Sequence, residues 1–178
     1  MKFIFGGVLN TAVNGMNNLI FTSIPAQSNC TDEASWSLIF LAANPIWKEK
    51  VKKEYEALLE KHTDTFSSED YDKRLATIPL SAWEEELPST DLVLRETIRL
   101  TLTIGFPRRN TQRNVTIDDV VIKKGDFVMY SAAQTHLNPD IYPNPMTFDP
   151  ERYMPGREED QKEALAYLGW GVGEFLGA

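Results

Sequence analysis

Apolar and polar positions divide the chain into a helical first part and a second part of short strands and loops. Asn44 and Pro45 form a helix start, because asparagine caps helices and proline is accepted at the first helical position. After them, one apolar stripe at helical spacing is made of Trp47, Val51, Tyr55, Leu58 and Leu59. The pattern predicts a helix here, and another, capped by Ser89-Thr90-Asp91, that ends near Thr101.

The second part of the chain changes period after Pro107. Short β-like runs are separated by turn residues such as Asp118-Asp119, and they are Val115–Ile117, Val120–Ile122 and Phe127–Tyr130. From His136 onward prolines and asparagines recur, and each proline disfavours helix at the residue before it. Residues 63–88 form a polar connector with one short helix near Ser81–Glu86. The pattern indicates a mainly α chain with a small β-sheet (α+β).

The first 33 residues interrupt this order. Residues 1–14 are apolar and begin like the middle of a helix, whereas residues 15–33 contain scattered Asn, Ser and Thr and a proline. From Ala34 the chain is apolar again. Residues 15–33 are therefore interpreted as an anomalous insertion in a helical segment.

Composition excludes several classes of function. The net charge is -8 and the charges are spread along the chain, so there is no basic face for nucleic acid. Cys30 is the one cysteine, which excludes an internal disulfide framework and a multi-cysteine zinc site. No apolar run approaches the ~18 residues of a membrane span, so we expect no membrane anchor in these residues.

A glutamate and an arginine three residues apart, Glu96 and Arg99, share one face of the second predicted helix. Such a pair can form two charge-assisted hydrogen bonds. Taken alone it would be an exposed ion pair, which contributes only about 0.2–0.5 kcal/mol. Motifs at fixed distances later in the chain change that interpretation.

These later motifs are three segments in a fixed order. His136-x-Asn138-Pro139-x-x-Tyr142-Pro143-x-Pro145 continues into Phe148-x-Pro150-x-Arg152-Tyr153, and the chain then reaches Gly169-Trp170-Gly171-Val172-Gly173. With Glu-x-x-Arg before them, these segments resemble the C-terminal half of a cytochrome P450, the haem-thiolate monooxygenase family, of fungal type. The resemblance implies a partial P450 domain over residues 1–178, interrupted by the insertion at 15–33 and followed by a non-family tail at 174–178.

The resemblance implies roles for five residues. Glu96, Arg99 and Arg152 would form the family's buried network, which locks the proline-rich loop onto the helix; a buried arginine must be paired, and one carboxylate accepts from two guanidinium groups. His136 and Arg109 fall where the family places partners of the haem propionates. For these two the alternatives are an imidazole that orders the loop and a solvated arginine at a strand end.

One departure from the family concerns its distal helix, which commonly carries an acid–alcohol pair for proton delivery. Leu9 and Asn10 fall at those positions here, and Thr11 comes one residue late. Asn10 and Thr11 remain the candidate proton-delivery positions. Family members with asparagine there include isomerases and dehydratases, which rearrange peroxides instead of activating dioxygen.

The second departure concerns the iron ligand. In the family, the glycine-rich segment leads to the cysteine whose thiolate binds haem iron. Here Gly173 is followed by Glu174-Phe175-Leu176-Gly177-Ala178, without a cysteine, and Cys30 lies far away in the insertion. No metal ligand can therefore be assigned. Haem is the expected cofactor of the intact parent, and this fragment by itself is expected to be inactive.

Two breaks in the family pattern, the insertion at 15–33 and the tail after Gly173, have one explanation in the genetic code. Without Gly15–Glu33, Asn14 joins Ala34 in one unbroken helix. The Gly15-Met16 and Gly173-Glu174-Phe175 codons allow splice-donor sequences, so both breaks are interpreted as unspliced introns, with true divergence as the alternative. Spliced transcripts that retain codons 15–33 would contradict the intron hypothesis.

The resemblance leaves three functional hypotheses. In the first, the intact parent oxidises a small lipophilic substrate with O2 and electrons from NADPH–cytochrome P450 reductase, at the endoplasmic reticulum membrane. In the second, the parent is a haem-dependent isomerase or dehydratase that needs no reductase. In the third, the chain is a non-enzymatic α/β interaction domain that contains similar motifs without belonging to the family. The substrate stays open in all of them.

Overall fold

The computed structural model describes residues 24–63, 71–102 and 105–169, with side chains except at 24–32 and 105–106. Six α-helices lie in these ranges: α1 Ile24–Ala43, α2 Pro45–His62, α3 Tyr71–Ala76, α4 Leu80–Glu85, α5 Pro88–Thr101 and α6 Ala132–His136. The strands are β1 Gly105–Arg109, β2 Val115–Ile117, β3 Val120–Ile122 and β4 Phe127–Ser131, and two 3₁₀ turns follow at Pro150–Tyr153 and Glu159–Gln161. The prediction of a mainly α chain with a small β component is confirmed.

Helix α2 starts where the sequence predicts, with Asn44 at the N-cap and Pro45 in the first turn. The Asn44 side chain does not cap the helix, because its Nδ2 donates to the carbonyl of Phe40 at 2.8 Å. Two members of the predicted apolar stripe, Trp47 and Leu58, are buried. Leu58 contacts the segment that contains α3 and α4, in a small core completed by Ile78, Ala82 and Leu87.

Helix α5 starts earlier than predicted, at Pro88, so Ser89-Thr90-Asp91 lies inside it and is not its cap. The residue at the N-cap, Leu87, has no side-chain acceptor. Glu54 of α2 takes this role, because its carboxylate accepts from the backbone N–H groups of Ser89 at 2.7 Å and Thr90 at 2.9 Å. The free N–H groups at the start of α5 are thus satisfied by a charge from another helix.

Helix α1 runs through residues 24–33, the second part of the segment that the sequence pattern assigns to the anomalous insertion. Helix α1 packs on α5 through a hydrogen bond between the hydroxyls of Ser37 and Thr97 at 3.2 Å, and it reaches the later loop through stacked rings of Phe40 and Phe148. The insertion as such stays a prediction, since residues 1–23 lie outside the described part.

The strands form two antiparallel pairs, β1 with β4 and β2 with β3. Strands β2, β3 and β4 lie where the apolar runs predict them, and Asp118 makes the β2–β3 turn with a φ of 49°. Strand β1 is not predicted, because Gly-Phe-Pro-Arg-Arg has no alternation of apolar and polar residues. It forms through its pairing with β4, from Gly105 opposite Ser131 to Arg109 opposite Phe127.

The buried centre of the described residues is unusually polar. The largest side chains that are fully enclosed are Arg99, Arg152, Tyr142, Leu58, His136, Glu96, Thr97 and Pro150. Helix α5 lies at this centre and contacts α1, α2, α6 and the turn at Pro150–Tyr153.

None of the helices that the structure describes has the length and apolar character of a membrane span.

We predict that Glu54→Ala lowers the free energy of unfolding by about 1–2 kcal/mol, because it removes the cap of α5. Urea denaturation followed by circular dichroism measures the loss. Glu56→Ala is the control, since Glu56 forms only an exposed pair with Lys52 at 3.7 Å and should contribute less than about 0.5 kcal/mol. Equal losses in the two variants would show that Glu54 is not a cap.

Candidate functional site

The site is built around the carboxylate of Glu96, on the buried face of α5, with 0% of its surface exposed. Arg99, one helical turn later, donates from Nε to Glu96 Oε2 and from Nη2 to Glu96 Oε1, both at 2.8 Å. The spacing of three residues makes this two-point pair possible. Arg99 Nη1 also donates to the carbonyl of His136 at 2.7 Å.

Arg152 reaches the same carboxylate from the 3₁₀ turn 56 residues later, and its Nε donates to Glu96 Oε1 at 3.2 Å. The rest of its guanidinium group donates to the carbonyls of Pro143 at 2.6 Å and Asn144 at 2.9 Å. One side chain therefore joins the helix to the loop that contains the prolines. Tyr153 adds a hydrogen bond from its hydroxyl to Glu96 Oε2 at 3.0 Å.

A second carboxylate, Glu159, balances the charge of the network. Its Oε2 accepts from Arg152 Nη1 at 2.7 Å, and its Oε1 accepts from Arg157 Nη2 at 2.7 Å. Burial alone would raise the pKa of Glu159, but its hydrogen bonds to the two arginines outweigh burial and lower the pKa. Sequence reasoning missed Glu159, because a glutamate in an acidic Arg157–Asp160 stretch carries no distinguishing pattern.

Burial and pairing also oppose each other at Arg99. Burial alone would lower the pKa of Arg99, yet its hydrogen bonds to Glu96 and the charge of Glu96 raise it. Arg99 therefore stays charged within the protein. Buried Glu96 and Glu159 face buried Arg99 and Arg152, so the centre of the network contains two charges of each sign.

His136 is fully buried, and its ring faces into the protein. The backbone N–H of Leu168 donates to His136 Nε2 at 3.0 Å, and the ring stacks on Tyr167 with centroids 5.4 Å apart. Nε2 is an acceptor, so the proton of the neutral ring is assigned to Nδ1. The contacts have the geometry of an imidazole that orders the chain around Leu168. The haem-propionate role of His136 stays a prediction.

Arg109 ends β1 on the surface. Its Nε donates to the carbonyl of Gly125 at 3.4 Å, and its guanidinium carbon lies 5.7 Å from the centroid of the Phe127 ring, which is itself 71% exposed. This is the position of a solvated arginine at a strand end, and its propionate role also stays a prediction. Asn10 and Thr11, the candidate proton-delivery positions, lie outside the described residues.

The residues that the structure describes do not supply the ligands of a haem-thiolate site. Within them no group of three or more His, Cys, Asp or Glu side chains is placed to hold a metal ion. The side chain of Cys30 lies outside the described part, and Nε2 of buried His136 is occupied by Leu168. The described part thus contains a structural network, and no reaction step can be assigned to it.

We predict that Arg152→Ala lowers the free energy of unfolding by about 3–5 kcal/mol or prevents folding, because it leaves Glu96 and Glu159 buried with less compensating charge. Lys50→Ala is the matched control, since Lys50 forms an exposed pair with neighbouring Glu151 at 3.5 Å that is worth about 0–1 kcal/mol. Chemical denaturation of both variants measures the difference. Similar losses would mean that the network is no stronger than a surface pair.

A second prediction concerns pH. Burial, aided by the charge of Arg99, lowers the pKa of His136 from 6.5 to about 4. Below pH 6.5 the His136 ring is therefore protonated in the unfolded chain and still neutral in the folded chain. The stability that depends on the neutral ring is fully present above pH 6.5. As the pH falls towards 4, the free energy of unfolding decreases by about 3 kcal/mol.

Denaturation midpoints between pH 7 and 4 measure this loss. His136→Gln should flatten the dependence, because the variant lacks the titrating group. His62→Gln, which replaces the other histidine of the chain, should keep it. A profile that His136→Gln leaves unchanged would assign the pH dependence to other groups.

Comparison with known proteins agrees with the motifs. The family model described as Cytochrome P450 matches residues 31–174. The chain is 34% identical over 157 residues to cytochrome P450 monooxygenase AacuE of Aspergillus aculeatus, which covers 86% of this chain and 31% of that protein. It is 39% identical over 130 residues to monooxygenase nsrP of Aspergillus novofumigatus, covering 71% of this chain and 25% of that one.

A solved structure supports the relationship at the level of the fold. The retinoic acid-bound cyanobacterial CYP120A1 superposes with a TM-score of 0.60 at 28% identity, over 80% of this chain and 29% of that chain. This chain thus spans less than a third of the length of each of these relatives. The family match, the fungal relatives and the shared fold agree, and the chain belongs to the cytochrome P450 family.

Proposed function

We propose that this chain forms the part of a haem-dependent monooxygenase that fixes the proline-rich loop against the Glu-x-x-Arg helix. The observation that carries the proposal is the convergence of Arg99 and Arg152 on Glu96 at full burial. These are the residues to which the family resemblance assigns this role. The full burial of this network and the family match over residues 31–174 argue against the third hypothesis, an interaction domain unrelated to the family.

The proposed reaction of the intact enzyme is oxidation of a small lipophilic molecule with O2 and electrons from NADPH–cytochrome P450 reductase, at the endoplasmic reticulum membrane. The two fungal relatives, AacuE and nsrP, carry the name monooxygenase, and the solved relative holds retinoic acid, a largely apolar molecule. These names support the reaction class and the lipophilic substrate. The reductase and the membrane location follow from the family resemblance alone.

Haem would supply the oxygen chemistry in the intact enzyme, with a cysteine thiolate as its axial ligand. A polypeptide of these 178 residues contains no cysteine after the glycine-rich segment that ends at Gly173. We therefore propose that this polypeptide, taken alone, is inactive as a monooxygenase. Its part in the enzyme is to hold a loop and a helix in their relative positions.

The second candidate function is isomerisation or dehydration by an intact haem enzyme of the same fold. The observation that favours it is Asn10 at the position where the family commonly has the alcohol of its acid–alcohol pair. Turnover by the intact parent that needs neither NADPH nor O2 would support this candidate. Dependence on both would support the monooxygenase.

We predict that the 178-residue polypeptide, expressed with an ample haem supply, shows no red-shifted Soret band of a thiolate-bound ferrous–CO complex. The reason is the missing thiolate, whose electron donation produces that spectrum. Full-length AacuE expressed in the same way is the positive control. A clear thiolate-type band from the 178-residue polypeptide would overturn the proposal that it is inactive.

A further inference from the structure

Arg95 precedes Glu96 in α5 but belongs to a different group of contacts. Its side chain is 27% exposed and pairs through Nη2 with Asp160 Oδ2 at 2.7 Å. Asp160 is 8% exposed, and among the described residues Arg95 is the cation within ion-pair distance of it. The side chains of Glu159 and Asp160 therefore reach different arginines, Glu159 towards the Glu96 network and Asp160 towards Arg95.

Two tyrosine rings enclose the Arg95 guanidinium group. Its central carbon lies 4.6 Å from the centroid of the Tyr153 ring and 5.2 Å from that of Tyr167. The two rings also meet each other edge to face, with centroids 5.9 Å apart. The backbone carbonyl of Arg95 accepts from the Tyr167 hydroxyl at 3.3 Å, and it lies 3.5 Å from the Tyr153 hydroxyl, whose proton is donated to Glu96. Backbone and side chain of one residue thus contact the same two tyrosines.

We propose that Arg95 is a positioning residue, which fixes the segment 159–168 through Asp160, Tyr153 and Tyr167. In the sequence this segment leads directly into Gly169-Trp170-Gly171-Val172-Gly173. The inference deepens the proposed function, and its relevance to function rests on that proposal. In an intact enzyme this glycine-rich segment would precede the haem ligand. The contacts that carry it involve none of the charges that bind Glu96 directly, apart from the shared ring of Tyr153.

The geometry requires an arginine. A planar guanidinium group can lie against two aromatic rings while its edge donates to a carboxylate, whereas the ammonium group of lysine is a compact and strongly hydrated charge. Arg95→Lys keeps the charge and loses the planar group. It therefore separates positioning by shape from a simple charge effect.

Hydrogen exchange followed by mass spectrometry tests the proposal on the full 178-residue chain. Arg95→Gln, Arg95→Lys and Asp160→Asn should each speed the exchange of amides in residues 159–168 by roughly tenfold, because they release this segment locally. Amides in residues 141–153 should stay within about twofold of the parent chain, since the Glu96 network is intact. The control is Arg108→Gln, which replaces an exposed arginine whose hydrogen bond goes to the carbonyl of Pro107.

Near-ultraviolet circular dichroism is a second measurement, because it reports the fixed environment of the tyrosine rings. The spectrum should change in Arg95→Lys and should stay the same in Arg108→Gln. Parent-like exchange in Arg95→Lys would overturn the proposal, and so would equal acceleration of both segments or of neither. No haem is needed for either measurement. A failure here would refute Arg95 as a positioning residue. The proposed function is tested separately, by the ferrous–CO spectrum and by the requirement of the intact enzyme for NADPH and O2.

Discussion

A single buried carboxylate determines how the second half of this chain is arranged. From the described residues Glu96 accepts five hydrogen bonds, from Arg99, Arg152, Tyr153 and the backbone N–H of Asp149. Buried ion pairs contribute little net stability compared with apolar packing, because desolvation opposes the attraction between the charges. We infer that their effect here is on specificity, since this arrangement of helix and loop brings five hydrogen bonds to one carboxylate.

The network also explains how a long loop can be ordered without regular secondary structure. Its backbone carbonyls at Pro143 and Asn144 are bound by Arg152, and that of His136 is bound by Arg99. Side chains thus replace the hydrogen bonds that a strand or helix would make. The apolar cluster of Ile141, Tyr142 and Ala166 is small, so polar contacts carry most of the ordering in this part of the fold.

Elements whose pattern is local could be predicted from the sequence. Helix α2 and the strands β2 and β3 follow from periodicity and turn residues, and the family motifs alone assign Glu96, Arg99 and Arg152 to one network. Contacts between distant segments that no motif marks could not be predicted. Glu54 as the cap of α5 and Glu159 as a partner of Arg152 depend on chain paths that no local pattern encodes.

The haem-propionate roles of His136 and Arg109 come from the motifs and stay predictions. A motif fixes a position in the chain, but burial and the direction of a side chain depend on the surrounding packing. The ring of His136 is enclosed against Tyr167, and Arg109 lies at the surface beside Phe127. The fold of the family and its cofactor chemistry are therefore separate inferences, and the described residues support the first of them directly.

Helix α5 is held at two points, by Glu54 at Ser89 and Thr90 in its first turn and by Arg152 at Glu96 further along. An α-helix turns by about 100° with each residue. The number of residues between these two attachment points therefore fixes the angle between them around the helix axis. A deletion of one residue between Thr90 and Glu96 would turn the carboxylate away from the loop even if every side chain were retained. Evolution can vary the side chains along this stretch, but the number of residues in it is constrained.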